Sequence, residues 1–89
     1  MVITVTGVPP FDPEAGEPAY VYVRMADHLA ARIAAGELPA GSRLPGERDL
    51  AAEYGVALGT ARRAVSELRE RGLVVTLPAK GTFVSQQDK

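Results

Sequence analysis

Residues 44–84 read LPGERDLAAEYGVALGTARRAVSELRERGLVVTLPAKGTFV, and the placing of proline, glycine and apolar residues in this stretch decides the fold. Pro45 resets the chain direction, and a short helix is expected from about Glu47 to Tyr54. Its first turn carries Glu47 and Asp49, which suit the positive end of a helix dipole, while Leu50, Ala51 and Tyr54 share the inward face. Gly55 stops it, and only the triplet GVA precedes a further helix, whose apolar stripe is Ala61, Ala64, Val65 and Leu68 and whose end is Gly72. Two helices joined across so short a turn form a helix-turn-helix. The β-rich runs LVVT and TFVS, separated by the turn PAKG, then read as a hairpin.

Upstream, Tyr22, Met25, Ala26, Leu29 and Ile33 recur at helical spacing, with Gly36 as the stop, which adds a first helix. The segment GELPAGSRL is too rich in glycine and proline for regular structure and delivers Leu44 to the core. Residues 7–18, GVPPFDPEAGEP, hold four of the seven prolines and read as an extended linker, preceded by VITVT at 2–6, a short β-branched strand. The expected layout is an N-terminal arm and linker over 1–20, a folded unit over 21–84 and a polar tail over 85–89. The fold class is mainly α with a small β wing, three helices plus a two-stranded hairpin: a winged helix-turn-helix with an extended N-terminal arm.

Composition narrows the possible functions. Eighty-nine residues, 46% of them hydrophobic and 24% charged, support one small core. The absence of cysteine leaves that core to packing alone, with no disulfide framework and no cysteine ligand for zinc. Apolar runs fall short of the roughly 18 to 20 residues that span a bilayer, and the first residues lack the basic start of a secretory signal, so no membrane association and a cytoplasmic location are expected. The net charge of −1 conceals an uneven distribution. Asp12, Glu14 and Glu17 occupy a stretch without any Lys or Arg, whereas between Ala57 and Val84 five basic residues, Arg62, Arg63, Arg69, Arg71 and Lys80, face only Glu67 and Glu70. Concentrated positive charge suits a polyanionic partner, although charge on helices also serves simple solvation. His28 stands alone in the first helix, and no paired carboxylates, metal-ligand spacing or phosphate-cradling loop is apparent, so neither catalysis, a cofactor nor a metal is expected.

Several motifs in order, LPGERDLA, a Gly-Val turn, an Arg-bearing helix and GTFV, make residues 20–84 resemble the DNA-binding domain of GntR transcription regulators. The resemblance implies a sequence-specific DNA-binding regulator, a repressor acting by operator occupancy, that forms a homodimer on an inverted-repeat operator in double-stranded DNA. It also implies that the usual C-terminal effector domain is lacking here. The exposed β-branched edge of the strand at 2–6 is then the expected dimer contact, pairing with a second copy, the alternative being an arm that folds back on its own wing or stays disordered. A winged helix that binds another protein is the alternative.

The third helix is expected in the major groove, with Leu58, Gly59, Thr60, Arg62 and Arg63 toward DNA. Arg62 is the first candidate for bidentate guanine readout, the alternative for both arginines being pairing with Glu67 or Ser66. The resemblance implies a DNA contact for Arg48. Lys80 and Gly81 at the hairpin tip are expected on phosphate and at the minor groove, with ordinary turn geometry as the other reading of Gly81. Thr60 is assigned either to a phosphate or to capping the third helix. The chain departs from the family pattern in carrying Ala57 and Leu58 where a Ser or Thr and then an Arg are usual, Gly46 in place of a Ser cap, and Ala79 in place of a wing glycine. Leu58 is thereby expected either to touch a thymine methyl or to pack inside the domain.

Overall fold

The computed structural model describes residues 8–17 and 20–86. The strand expected at 2–6 lies outside the described residues. The elements run α1 (Val21–Ala34), α2 (Glu47–Tyr54), α3 (Leu58–Glu70), β1 (Val74–Leu77) and β2 (Gly81–Val84), three helices and an antiparallel hairpin, as expected. The core forms where the three apolar stripes converge: Met25, Ala26 and Leu29 from α1, Leu50, Ala51 and Tyr54 from α2, and Ala61, Ala64, Val65 and Leu68 from α3, closed by Leu44 and Val74. Tyr22 and Ile33 are only partly buried at its margin.

The helix-turn-helix angle is set by how α2 stops. Gly55 has φ +67°, a left-handed conformation that glycine adopts without the Cβ penalty. Its N–H donates to the carbonyl of Ala52, and the N–H of Val56 donates to that of Ala51. The same pair of bonds closes α1 and α3, where Glu37 donates to Arg32 and Leu73 to Leu68. Leu73 is therefore occupied in ending α3. The hairpin starts one residue later than the β-rich runs suggest, pairing Val74 with Val84 and Leu77 with Gly81.

The stretch read as irregular between α1 and α2 is in part a third strand-like edge. Arg43 bridges to Phe83, the N–H of Leu44 donates to the Thr82 carbonyl at 2.7 Å, and the N–H of Val84 donates to the Ser42 carbonyl at 2.8 Å. These bonds tie the wing to the segment that leads into α2. At the wing tip Ala79 has φ +64°, the one non-glycine residue with positive φ among those described. A Cβ in this region costs about 1–2 kcal/mol, partly offset by the greater unfolded freedom of glycine. Ala79→Gly is expected to stabilise the domain by about 0.5–1 kcal/mol, which a thermal melt reads as a rise of a few degrees in Tm; an unchanged or lower midpoint would show the turn to be unstrained.

The described part of the arm differs from the extended linker that its prolines suggested. Residues 8–17 lie over α1 and α2, with the Phe11 ring 5.6 Å from His28 and 5.0 Å from Tyr54, and the Arg24 Nη2 donating to the Asp12 carbonyl at 2.6 Å. Proline removes backbone donors but leaves an intervening aromatic free to dock. His28 is likewise no isolated side chain. Its Nε2 lies 2.6 Å from the Pro9 carbonyl, which can only accept, so Nε2 donates there, and Nδ1 lies 2.7 Å from the Tyr54 hydroxyl. The Tyr54 oxygen in turn accepts from Arg32 at 3.2 Å. Burial pushes the Tyr54 phenol above its ordinary pKa, against the pull of Arg32.

Candidate nucleic-acid interface

Packing of α3 through Ala61, Ala64, Val65 and Leu68 turns Gly59, Arg62, Arg63 and Ser66 outward. The basic residues that looked alike in sequence then separate by what holds them. Arg71 donates to Asp27 at 2.8 Å and to Glu67 at 3.1 Å, fastening α3 to α1, and hydrogen bonding to these carboxylates raises its pKa. Arg69 donates to Thr76 at 2.7 Å and to Ser66 at 3.2 Å, fastening α3 to β1. Arg63 stacks over the Tyr22 ring, 4.0 Å from its centroid, so its cation is directed toward α1 by a cation–π contact rather than by the Glu67 or Ser66 pairing considered from sequence. Arg62 pairs with Glu47 of α2 at 3.1 Å, again not with Glu67.

Arg48 and Lys80 are exposed, and neither has a side-chain hydrogen bond or ion pair among the described residues. The structure brings Arg48, Leu58 and Arg62 together on the walls of one open cleft of about 310 Å³, completed by Gly46 and Glu47. Leu58 is half-buried at its edge. The Arg62–Glu47 pair does not remove Arg62 from use. The Arg62 side chain is 61% exposed, and exposed ion pairs contribute about 1 kcal/mol or less, so a stronger acceptor can displace Glu47.

Helix α3 begins at Leu58 with Ala57 at its N-cap and no side-chain cap bond. Thr60 is therefore in the first turn and caps nothing, which removes the capping alternative. The backbone at Gly59 faces open space, since a Cβ there would meet nothing within 4 Å, and nothing inside the chain requires its smallness. Gly81 combines φ +118° with a close neighbour: a Cβ would lie 2.7 Å from the Arg43 Nε. Arg43 was missed from sequence. It precedes Leu44 in a glycine- and proline-rich stretch, and only its pairing with Phe83 carries it to the wing.

Among the described residues no group of His, Asp or Glu could hold a metal ion, and no helix is long and apolar enough to cross a membrane. The model of the bacterial regulatory proteins, gntR family, matches residues 21–84. The HTH-type transcriptional regulator Rv1152 of Mycobacterium tuberculosis is 42% identical over 77 residues, covering 86% of this chain and 62% of its own. The HTH-type transcriptional repressor NagR of Bacillus subtilis is 38% identical over 69 residues, covering 78% of this chain and 28% of its own. Among solved structures, the AraR DNA-binding domain in complex with operator ORX1 superposes with a TM-score of 0.67 at 28% identity, covering 72% of this chain and 77% of that one. The chain thus spans between about a quarter and three fifths of the length of the curated relatives it matches.

Proposed function

The chain belongs to the gntR family of bacterial regulatory proteins, and on that premise we propose that residues 21–84 bind operator DNA and repress by occupying it. The observation that carries this reading is the cleft shared by Arg48, Leu58 and Arg62 at the N-terminal end of α3. It sets a cation from each helix of the helix-turn-helix beside an apolar side chain, at the end of the helix that a helix-turn-helix lays in the major groove. In this reading Arg62 leaves Glu47 for guanine O6 and N7, Arg48 takes a phosphate or base edge, Gly59 allows the groove wall to approach and Thr60 donates to a phosphate. Lys80 and Gly81 meet the DNA at the wing. Arg63, held on Tyr22, contributes charge at the border of the contact and reads no base.

Two copies act on an inverted repeat, since closed two-fold symmetry in the protein is matched by symmetry in the site. The naming of NagR as a repressor and the operator complex of AraR support the occupancy mechanism by kinship. Binding to a mixed-sequence duplex, followed by fluorescence anisotropy as salt rises, tests the reading. Affinity should fall steeply, as displaced counterions require; flat or absent binding would favour a protein partner instead.

Leu58 replaces a polar reader with a methyl-bearing one, and its place on the cleft suits a thymine methyl. Leu58→Ala is expected to relax preference for T at one position of each half-site by about 1 kcal/mol, roughly fivefold in relative affinity. Competition between duplexes differing only at that base pair checks it, and unchanged discrimination would assign Leu58 to internal packing.

A further inference from the structure

Gly81 at the wing has two features that turn geometry alone does not join: a positive φ of +118°, and an Arg43 side chain lying over the face where a Cβ would stand. Arg43 comes from outside the hairpin. It pairs with Phe83 in an antiparallel bridge, so it sits on the same sheet face as Phe83 and, one step diagonally, Gly81. That face is the one turned away from α3, because Val74 and Val84 of the opposite face are buried in the core whereas Val75 and Leu77 remain exposed. The glycine leaves a notch, and the Arg43 guanidinium lies against it with its Nε 2.7 Å, and one terminal nitrogen 3.3 Å, from the vacant Cβ position. Arg43 is an exposed residue, and its guanidinium has no carboxylate or hydrogen-bond partner among the described residues, unlike those of Arg32, Arg62, Arg69 and Arg71.

We propose that Arg43 is a DNA-contact residue, a second cation of the wing that binds a backbone phosphate beside the groove entered by Lys80 and Gly81. The inference rests on the DNA-binding reading above and adds a residue that neither the motif order nor the recognition helix supplies. An unpaired guanidinium held by a backbone bridge on one side and a glycine notch on the other has already lost much of its freedom, so it reaches a phosphate with less ordering than a free surface arginine needs. Phosphate contact predicts charge dependence and indifference to sequence.

The test compares wild type, R43M and R43K by anisotropy on a fluorescent mixed-sequence duplex over a series of salt concentrations, with thermal melts of each. R43M ends in a methyl at the chain position of Nε, so it can keep the contact with Gly81 while removing the charge, whereas R43K keeps the charge. R43M should lower the slope of log affinity against log salt by about 0.9, the value for one lost phosphate contact, while R43K keeps the wild-type slope and all three melt alike. If Arg43 serves only to pack the wing, R43M will bind with the wild-type slope, and the proposal is overturned while the DNA-binding reading stands. A wild-type chain that does not bind the duplex at all overturns both.

Discussion

Replacing Arg62 with alanine is expected to lower affinity for the cognate operator by about 5- to 150-fold, or about 1–3 kcal/mol, while leaving the fold intact. The two effects separate because of where Arg62 stands. Its only partner among the described residues is Glu47, and the Arg62 side chain is 61% exposed, so its loss costs about 1 kcal/mol of stability at most. On DNA the same guanidinium meets two acceptors of one guanine in a fork geometry that water reproduces poorly, and its removal leaves those acceptors without their partner. Affinity for unrelated duplexes should fall much less than affinity for the operator. Lysine in its place should restore charge but not discrimination, since a single ammonium lacks the paired donors. Equal losses on operator and unrelated DNA would move Arg62 from base reading to phosphate contact. Anisotropy on both duplexes, at one fixed salt concentration, reads the difference.

Leu68→Ala should have the larger effect on the protein itself. Leu68 has no exposed surface and stands in the core cluster with the buried residues of all three helices. Truncating such a leucine costs about 2–5 kcal/mol, from lost transfer energy and the cavity left behind. Small domains have only about 5 kcal/mol in hand, and each kcal/mol corresponds to about 4–8 °C in Tm. The midpoint should fall by about 10 °C or more, and DNA binding should fail in proportion to the unfolded fraction, recovering on cooling. A small change in midpoint would mean that the core closes around the deletion more completely than a helix anchored at both ends permits.

The three helices were legible because each carries two agreeing signals, an apolar stripe of period 3.6 and a glycine at the stop, and the structure closes each with the same carbonyl bonds. The wing was legible in kind but not in register. Leu73 looks like strand by propensity and is claimed by the end of α3. What sequence could not supply were partners brought together by the fold. Arg71 finds Asp27 across 44 positions, Arg63 finds Tyr22 on α1, and Arg69 finds Thr76 on β1. In sequence these arginines formed one basic segment, whereas in the structure Arg69 and Arg71 hold elements together. Phe11 offered a weaker hint, a lone aromatic among prolines that docks on His28 and Tyr54. Arg43 offered none, because nothing in GELPAGSRL indicates that it pairs with β2.

Sequence-specific reading by the face of α3 is tested most directly by selecting bound duplexes from a random library with the purified chain. Repeated rounds should enrich a two-fold symmetric site whose half-sites carry a guanine that drops out of the selected consensus when R62A is used. A library that stays random with the folded wild-type chain, or a consensus unchanged by R62A, would contradict it.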